Sequence, residues 1–236
     1  MDALSPERLL KVWETGTRYH PIDRALLLFS VADPAVPPER LADEPLGRRN
    51  AAILRLRQER FAGPVAGWFD CPDCGERLEL EIGPDRLPAP PAGPNTRIEV
   101  AGLGFRPPTS RDLAVLSHAA DPEETARQLL HACAESPDSL PTDADELDTL
   151  LNQVDSVLDQ QDPWADPALS VTCPACGQET EATLDIAAIV WDEINSLAQQ
   201  LLDEVHLLAQ AYGWRESEIL TMSDARRTAY LERLQV

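Results

Sequence analysis

The residues best suited to chemistry in this sequence are four cysteines in two nearly identical turns. Each turn reads Cys-Pro-x-Cys-Gly, and together they supply Cys71, Cys74, Cys173 and Cys176. Two thiolates at this spacing converge on one metal ion, while the glycine adopts a backbone conformation that a side chain would resist. The two turns therefore predict one site in which four thiolates hold a single metal ion.

The expected cofactor is one structural Zn²⁺ ion. Four thiolates complete the tetrahedral coordination of zinc, so the site would stabilise a fold and leave no position for a substrate. Iron also binds four thiolates and stays open as an alternative, although the ribbon pattern described below favours zinc. A redox pair needs only one Cys-x-x-Cys turn, usually at the start of a helix, whereas both turns here run into strand-like sequence.

The other reactive residue types form no catalytic pattern. The four histidines lie apart, and the sequence lacks a Gly-rich phosphate loop, a nucleophile elbow and a His-Glu-x-x-His helix. Cys133 stands alone in an apolar helical stretch and is interpreted as a buried small residue. We therefore predict that the protein is not an enzyme and has no small-molecule substrate. The alternative of an enzyme with a purely structural zinc would need a polar pocket elsewhere.

Strand-like sequence surrounds each cysteine turn. Arg77–Ile82 alternates strictly after the first turn, residues 180–184 alternate after the second, and short apolar segments precede both. Each turn is therefore expected at the tip of a hairpin, and the two hairpins together predict a zinc ribbon. This ribbon would be discontinuous, formed by residues 65–83 and 169–185.

The residues between the two cysteine turns predict an inserted subdomain over 84–168. A proline-rich run at 87–94 is typical of an extended linker, and Ala101-Gly102 lies between two short apolar runs that suit a hairpin. Helix starts follow at Asp121-Pro122 and near Asp143. The insertion is thus expected to be compact and mostly helical.

Helices are also predicted on both sides of the ribbon, giving an α+β, mostly helical fold. Residues 1–64 form an N-terminal helical region, and 186–236 form a long helix followed by two short helices. The long helix runs from Ile186 to Tyr212 and ends at Gly213. Its apolar residues recur every three or four positions, which predicts packing against another helix, of this chain or of a partner.

The composition of the chain limits which binding partners and which cellular compartment are expected. The 236 residues carry a formal net charge of −21 with a pI near 4.4, which disfavours binding to nucleic acid or to an anionic membrane surface. Five cysteines, four of them in the paired turns, favour metal binding in a reducing compartment. Neither a secretory signal nor an apolar run of about 20 residues is present, so we expect a cytoplasmic bacterial protein.

An arginine-rich helix over residues 46–61 carries the one concentration of positive charge. Its expected exposed residues are Arg48, Arg49, Arg55, Arg57 and Arg60. Two interpretations stay open: a solvated helix face that offsets the acidic remainder, or a docking face for an acidic partner.

Four sequence blocks together resemble a known family. They are 46–51 (LGRRNA), 69–78 (FDCPDCGERL), 105–113 (FRPPTSRDL), and a C-terminal block comprising 204–209 (EVHLLA), 211–214 (AYGW) and Ile219-Leu220. In this order they resemble the zinc-ribbon baseplate proteins of contractile phage tails and related extracellular contractile injection systems, similar to the T-even-phage-like baseplate hub assembly proteins.

The resemblance implies a structural or chaperone-like assembly role in a baseplate. The chain would bind other baseplate or tail-hub proteins and either stay in the tail-like particle or act only during assembly. The candidate partner-binding residues are Arg48, Arg49, Arg55, Trp214 and Tyr230. The alternative is a zinc-ribbon nucleic-acid or transcription accessory protein, which the strongly negative charge disfavours.

Overall fold

The computed structural model describes residues 4–61, 63–83, 97–116 and 121–234, and these residues form a mostly helical α+β structure. The helices are α1 (Pro6–Gly16), α2 (Pro21–Ala32), α3 (Leu46–Arg60), α4 (Ser110–Leu116), α5 (Pro122–Cys133), α6 (Ala144–Gln161), α7 (Ile186–Tyr212), α8 (Glu216–Leu220) and α9 (Asp224–Glu232). Three antiparallel pairs contain β1 (Val65–Asp70) with β2 (Arg77–Ile82), β3 (Ile98–Val100) with β4 (Leu103–Phe105), and β5 (Ala168–Thr172) with β6 (Glu179–Thr183). The predicted α+β class is confirmed, while the proline-rich run 87–94 lies outside the described residues.

The main hydrophobic core lies where α7 packs against α1, α2 and α3. Val190, Ile194 and Ala198 of α7 are completely buried there, together with Leu28 of α2 and Ile53 of α3. Burial of one such Leu or Ile side chain stabilises a fold by about 1.5–3 kcal/mol. The apolar stripe predicted on the long helix is therefore confirmed, and its packing partners are helices of the same chain.

Capping residues determine where α7 begins and ends. Asp185 accepts a hydrogen bond from the backbone N–H of Ala188, and Gly213 ends the helix in the left-handed conformation with φ of 70°. Such caps satisfy backbone groups that have no partner inside the helix. Both predicted ends of this helix are confirmed.

A second hydrophobic cluster lies between the β3–β4 hairpin and helices α5 and α6. Phe105 at the end of β4 is fully buried, and Leu130, Leu150 and Val154 of the two helices are nearly so. The hairpin turns at Ala101-Gly102, where both residues have positive φ, as a tight two-residue hairpin turn requires. The predicted hairpin is confirmed, and the cluster lies within the segment predicted to be an insertion.

Polar contacts join α3 to the chain around α4 and after α6. Arg49 donates to Oγ of Ser110 at 2.8 Å and to Oδ1 of Asn50 at 2.9 and 3.0 Å. Asn50 in turn donates to the backbone carbonyl of Trp164 at 2.8 Å. The start of α3 is thus tied to two segments that lie far away in the sequence.

The predicted exposure of the α3 arginines is wrong for Arg49 and Arg57, which are only 7% and 3% exposed. Residues four positions apart lie on the same helix face, and Arg49, Ile53 and Arg57 all face the interior. Arg57 binds both carboxylate oxygens of Glu193 on α7, with contacts of 2.7–3.0 Å. Neither arginine is therefore available to a partner in this conformation.

The other arginines of α3 differ in their surroundings. Arg48 is half-buried and forms ion pairs with Asp33 at 3.0 Å and Glu44 at 2.6 Å, and Arg60 is also half-buried. Arg55 is exposed. The positive charge of this helix is thus largely paired inside the protein, which weakens its interpretation as a docking face.

Candidate metal centre

Two hairpins bring the cysteine turns together. In the first, β1 pairs with β2 from Val65 opposite Ile82 to Asp70 opposite Arg77. In the second, β5 pairs with β6 from Ala168 opposite Thr183 to Thr172 opposite Glu179. Each Cys-Pro-x-Cys-Gly turn follows directly after the first strand of its hairpin, so the turns lie at the hairpin tips as predicted.

The two turns have nearly the same backbone geometry. The N–H of Cys71 donates to the carbonyl of Glu76 at 2.8 Å, and the carbonyl of Cys71 accepts from the N–H of Gly75 at 2.9 Å. Cys173 makes the matching bonds with Gln178 and Gly177, both at 2.8 Å. The two glycines have φ of 74° and 76°, the left-handed conformation that favours glycine. The glycine in each motif is therefore required by the turn that presents the sulfurs.

The four sulfur atoms lie within 4.8 Å of one another. Sγ of Cys71 is 3.8 Å from that of Cys176, and Sγ of Cys74 is 3.7 Å from that of Cys173. A disulfide would need about 2.05 Å, and none of the cysteines is bonded to another. A tetrahedral zinc site with Zn–S bonds of about 2.3 Å has sulfurs about 3.8 Å apart. The arrangement therefore fits one metal ion held by four thiolates.

Backbone N–H groups favour the charged form of one ligand. The pKa of Cys173 is lowered to about 7, chiefly by a hydrogen bond from the N–H of Cys176 and also by one from Ala175. The pKa of Cys74 is raised to about 12: the N–H of Glu76 acts to lower it, but desolvation and the three neighbouring thiols outweigh that effect. Binding a metal ion at all four sulfurs therefore displaces protons.

Apolar side chains cover one side of the sulfur cluster. Cys71 and Cys173 are buried and pack with Leu78, Phe69 and Val171, whereas Cys74 and Cys176 are exposed. Each hairpin thus contributes one buried and one exposed candidate ligand. Four protein ligands would leave no open coordination position, so the site is suited to holding the hairpins together rather than to catalysis.

The remaining titratable residues add no second centre of this kind. Within the described parts of the chain, the four-cysteine group is the one cluster of His, Cys, Asp or Glu with metal-ligand spacing. Cys133 is buried, as predicted, and burial raises the pKa of its thiol to about 11. A thiol with so high a pKa is a poor nucleophile.

The candidate partner residues Trp214 and Tyr230 meet in an aromatic cluster with Tyr212. The ring centroids lie 4.5 Å apart for Tyr212 and Trp214, 4.7 Å for Trp214 and Tyr230, and 5.5 Å for Tyr212 and Tyr230. Such pairs contribute about 0.5–1.5 kcal/mol each beyond area burial. The cluster fastens the C-terminal helix to the end of α7, and a role in partner binding stays a prediction.

The sequence interpretation did not single out two exposed acidic residues on the first cysteine hairpin. Glu79 and Glu81 are exposed on β2, on the opposite face from the buried Leu78 and Ile82. The alternation that predicted this strand also places its two acids on one outward face. Trp68 on β1, paired with Glu79, is 61% exposed and was not singled out either.

Comparison of the chain with known protein families, with curated proteins and with solved structures gave no match. Among the described residues, no helix combines the length and the apolar character needed to cross a membrane.

Proposed function

We propose that this chain is a non-enzymatic structural or assembly component of a contractile tail or injection-system baseplate. It would carry one structural Zn²⁺ ion and act by binding other baseplate or tail-hub proteins. The main observation in favour of a non-enzymatic role is the group of four cysteines. A metal ion bound by all four would have no free coordination position for a substrate. The baseplate part rests on the sequence resemblance.

The contacts between the resembling blocks support a common structural role for them. Leu46 donates its N–H to the carbonyl of Pro108 at 3.0 Å, and Arg49 donates to Ser110 at 2.8 Å. The first and third blocks therefore touch, although about 60 residues separate them in the sequence.

In this proposal, the two cysteine hairpins form one discontinuous zinc ribbon over 65–83 and 169–185. The metal ion would clamp the ends of the inserted subdomain, 84–168, because the two hairpins flank it in the sequence. The separate hydrophobic cluster around Phe105 supports treating that segment as a unit with its own core. The surfaces that contact partners would then lie on the helical parts, which the clamp holds in position.

The test is recovery of partners from the native host. The tagged full-length chain should enrich sheath, tube, spike or other baseplate proteins, and the genes for such proteins should lie near its own gene. A Cys71→Ser variant is the matched control, since loss of a ligand should reduce recovery if the clamp positions the binding surfaces. Recovery of nuclease-sensitive nucleic acid without tail proteins would overturn the proposal in favour of the accessory-protein alternative.

A further inference from the structure

An open groove of about 910 Å³ lies between the first cysteine hairpin and the outer face of α7. Its apolar part includes Phe61 after α3, Trp68 on β1, and Ile189 and Leu197 on α7. The groove is distinct from the metal centre, because none of the four cysteines lines it. Its volume is in the upper part of the range of about 300–1,000 Å³ that is usual for ligand sites.

The charged residues that line the groove are all acidic. Glu79 and Glu81 line it from β2, Asp185 lines it from the N-cap position of α7, and Asp192 and Glu193 line it from α7 itself. No lysine or arginine occurs among the described residues that line it. Glu193 is neutralised by Arg57 at 2.7 Å, whereas no ion pair forms at the other four carboxylates within the described parts of the chain. The groove therefore favours a positively charged occupant.

Trp68 supplies the kind of side chain that anchors a protein interface. It is 61% exposed, an unusual fraction for a tryptophan, and such aromatic residues are enriched among those that dominate binding energy. The guanidinium group of Arg77 lies 4.0 Å from the centre of its ring and is paired with Asp70 at 3.1 Å. Because Asp70 offsets that charge, the stacked arginine adds no net positive charge beside the groove.

The α7 side of the groove has the shape of a helix-packing surface. Ala188, Asp192, Ser196 and Gln200 are all exposed, line the groove, and follow one another at intervals of four residues. Such a row extends roughly 18 Å along the helix, and the small side chains of Ala188 and Ser196 allow a second helix to approach closely at those two positions. A basic amphipathic helix would place apolar residues against Trp68 and its positive charges near the carboxylates.

We propose that this groove binds a basic amphipathic helix of another protein. A second copy of this chain is a poor occupant, because each copy carries a net charge of −21 and most arginines of its basic helix are already paired or buried. The inference does not depend on membership of a baseplate. It would stand if the partner recovery described above gave no tail proteins.

The test uses the zinc-loaded full-length protein and a synthetic helical peptide of about 18 residues, five helical turns, with leucine on one face and lysine on the other. Fluorescence anisotropy of the labelled peptide measures binding near physiological salt. A peptide of the same composition with the two residue types scrambled shows whether charge alone is responsible. We expect the amphipathic peptide to bind at least about tenfold more tightly than the scrambled one, because its apolar face adds burial to the charge attraction.

Matched variants locate the binding site. The groove variant combines Glu79→Gln with Asp192→Asn, and the control combines Glu14→Gln with Asp138→Asn, which removes two exposed carboxylates outside the groove. We expect the groove variant to bind about tenfold more weakly and the control to change less than about twofold, with Trp68→Ala weakening binding as well. Equal weakening by groove and control variants, or an equally tight scrambled peptide, would overturn the proposal. The proposal would also be overturned if the wild-type protein formed a stable homodimer and Trp68→Ala abolished it. That result would show that a second copy of the chain occupies the groove.

Discussion

Oδ1 of Asp162 occupies the space that a Cβ atom on residue 47 would need, so Gly47 and Asp162 form a matched pair. Gly47 lies in the first turn of α3, and Asp162 directly follows α6 and is 4% exposed. Burial raises the pKa of Asp162, although hydrogen bonds from the backbone N–H groups of Gly47 and Trp164 act to lower it. The buried Asp162 side chain thus packs against the start of α3 from more than a hundred residues away, and its Oδ1 has no hydrogen-bond partner among the described residues.

Gly47→Ala is expected to destabilise the protein by about 1–3 kcal/mol, because the added methyl group would displace the buried Asp162 side chain. Urea unfolding measures the change in free energy. Gly67→Ala is the matched control, since a Cβ at Gly67 would have no heavy atom within 4 Å, and we expect a change below about 0.5 kcal/mol. Equal effects of the two substitutions would contradict this role for Gly47.

Arg49→Lys is expected to lower the free energy of unfolding by about 1–3 kcal/mol, because lysine cannot reproduce the planar set of bonds to Asn50 and Ser110. The same change at exposed Arg55 should cost less than about 0.5 kcal/mol. Thermal or urea unfolding of both variants separates a structural arginine from a surface one. If only Arg55→Lys altered stability, the assignment of Arg49 as structural would be wrong.

The ion pair between Arg106 and Asp112 should make stability depend on pH in the acid range. Desolvation acts to raise the pKa of Asp112, but hydrogen bonds from Arg106 and Thr109 outweigh it and the pKa is lowered. A carboxyl group with a lower pKa in the folded state adds stability above its unfolded pKa of about 4, and this stability is lost as the pH falls through the folded pKa.

Asp112→Asn therefore should destabilise the protein most at neutral pH, and the difference from wild type should shrink as the pH falls below about 4. Urea unfolding across this pH range measures the difference directly. A difference that stayed constant with pH, or that grew towards acid, would show that the charge of Asp112 is not what stabilises the start of α4.

Local patterns in the sequence predicted much of this fold. The spacing of apolar residues in α7, its Gly213 terminus and the alternation in β2 each depend on neighbouring residues, so the correct elements follow without knowledge of tertiary structure. The repeated Cys-Pro-x-Cys-Gly turn likewise predicted that the four sulfurs would meet, because the same turn geometry serves both copies.

The features that the sequence did not predict depend on contacts between residues far apart in the chain. Arg49 and Arg57 are buried because Ser110 and Glu193 reach them from distant segments, and arginine by type is expected at the surface. Both arginines lie four residues from Ile53, which is an apolar core residue. That spacing alone could have indicated that they share its buried helix face. The pairing of Gly47 with Asp162 and the groove beside Trp68 depend on elements that meet only in the folded chain, so no local pattern indicated them.

Loss of one metal ligand should destabilise the protein strongly. Cys173→Ser is expected to lower the free energy of unfolding by at least about 3 kcal/mol, or roughly 6–12 °C in melting temperature, because metal-coupled folding energy is lost. Cys133→Ala is the matched control: it removes a buried thiol outside the cluster, so it should cost about 1 kcal/mol and leave the bound metal unchanged. Similar losses in both variants would count against a metal-dependent clamp.

Metal analysis of the purified protein, combined with thiol titration in the folded state, tests the four-cysteine clamp most directly. We expect about one zinc ion per chain, with the thiols of Cys71, Cys74, Cys173 and Cys176 protected until a chelator or denaturant is added. A folded protein that contained no metal and in which all four of these thiols titrated freely would contradict the account.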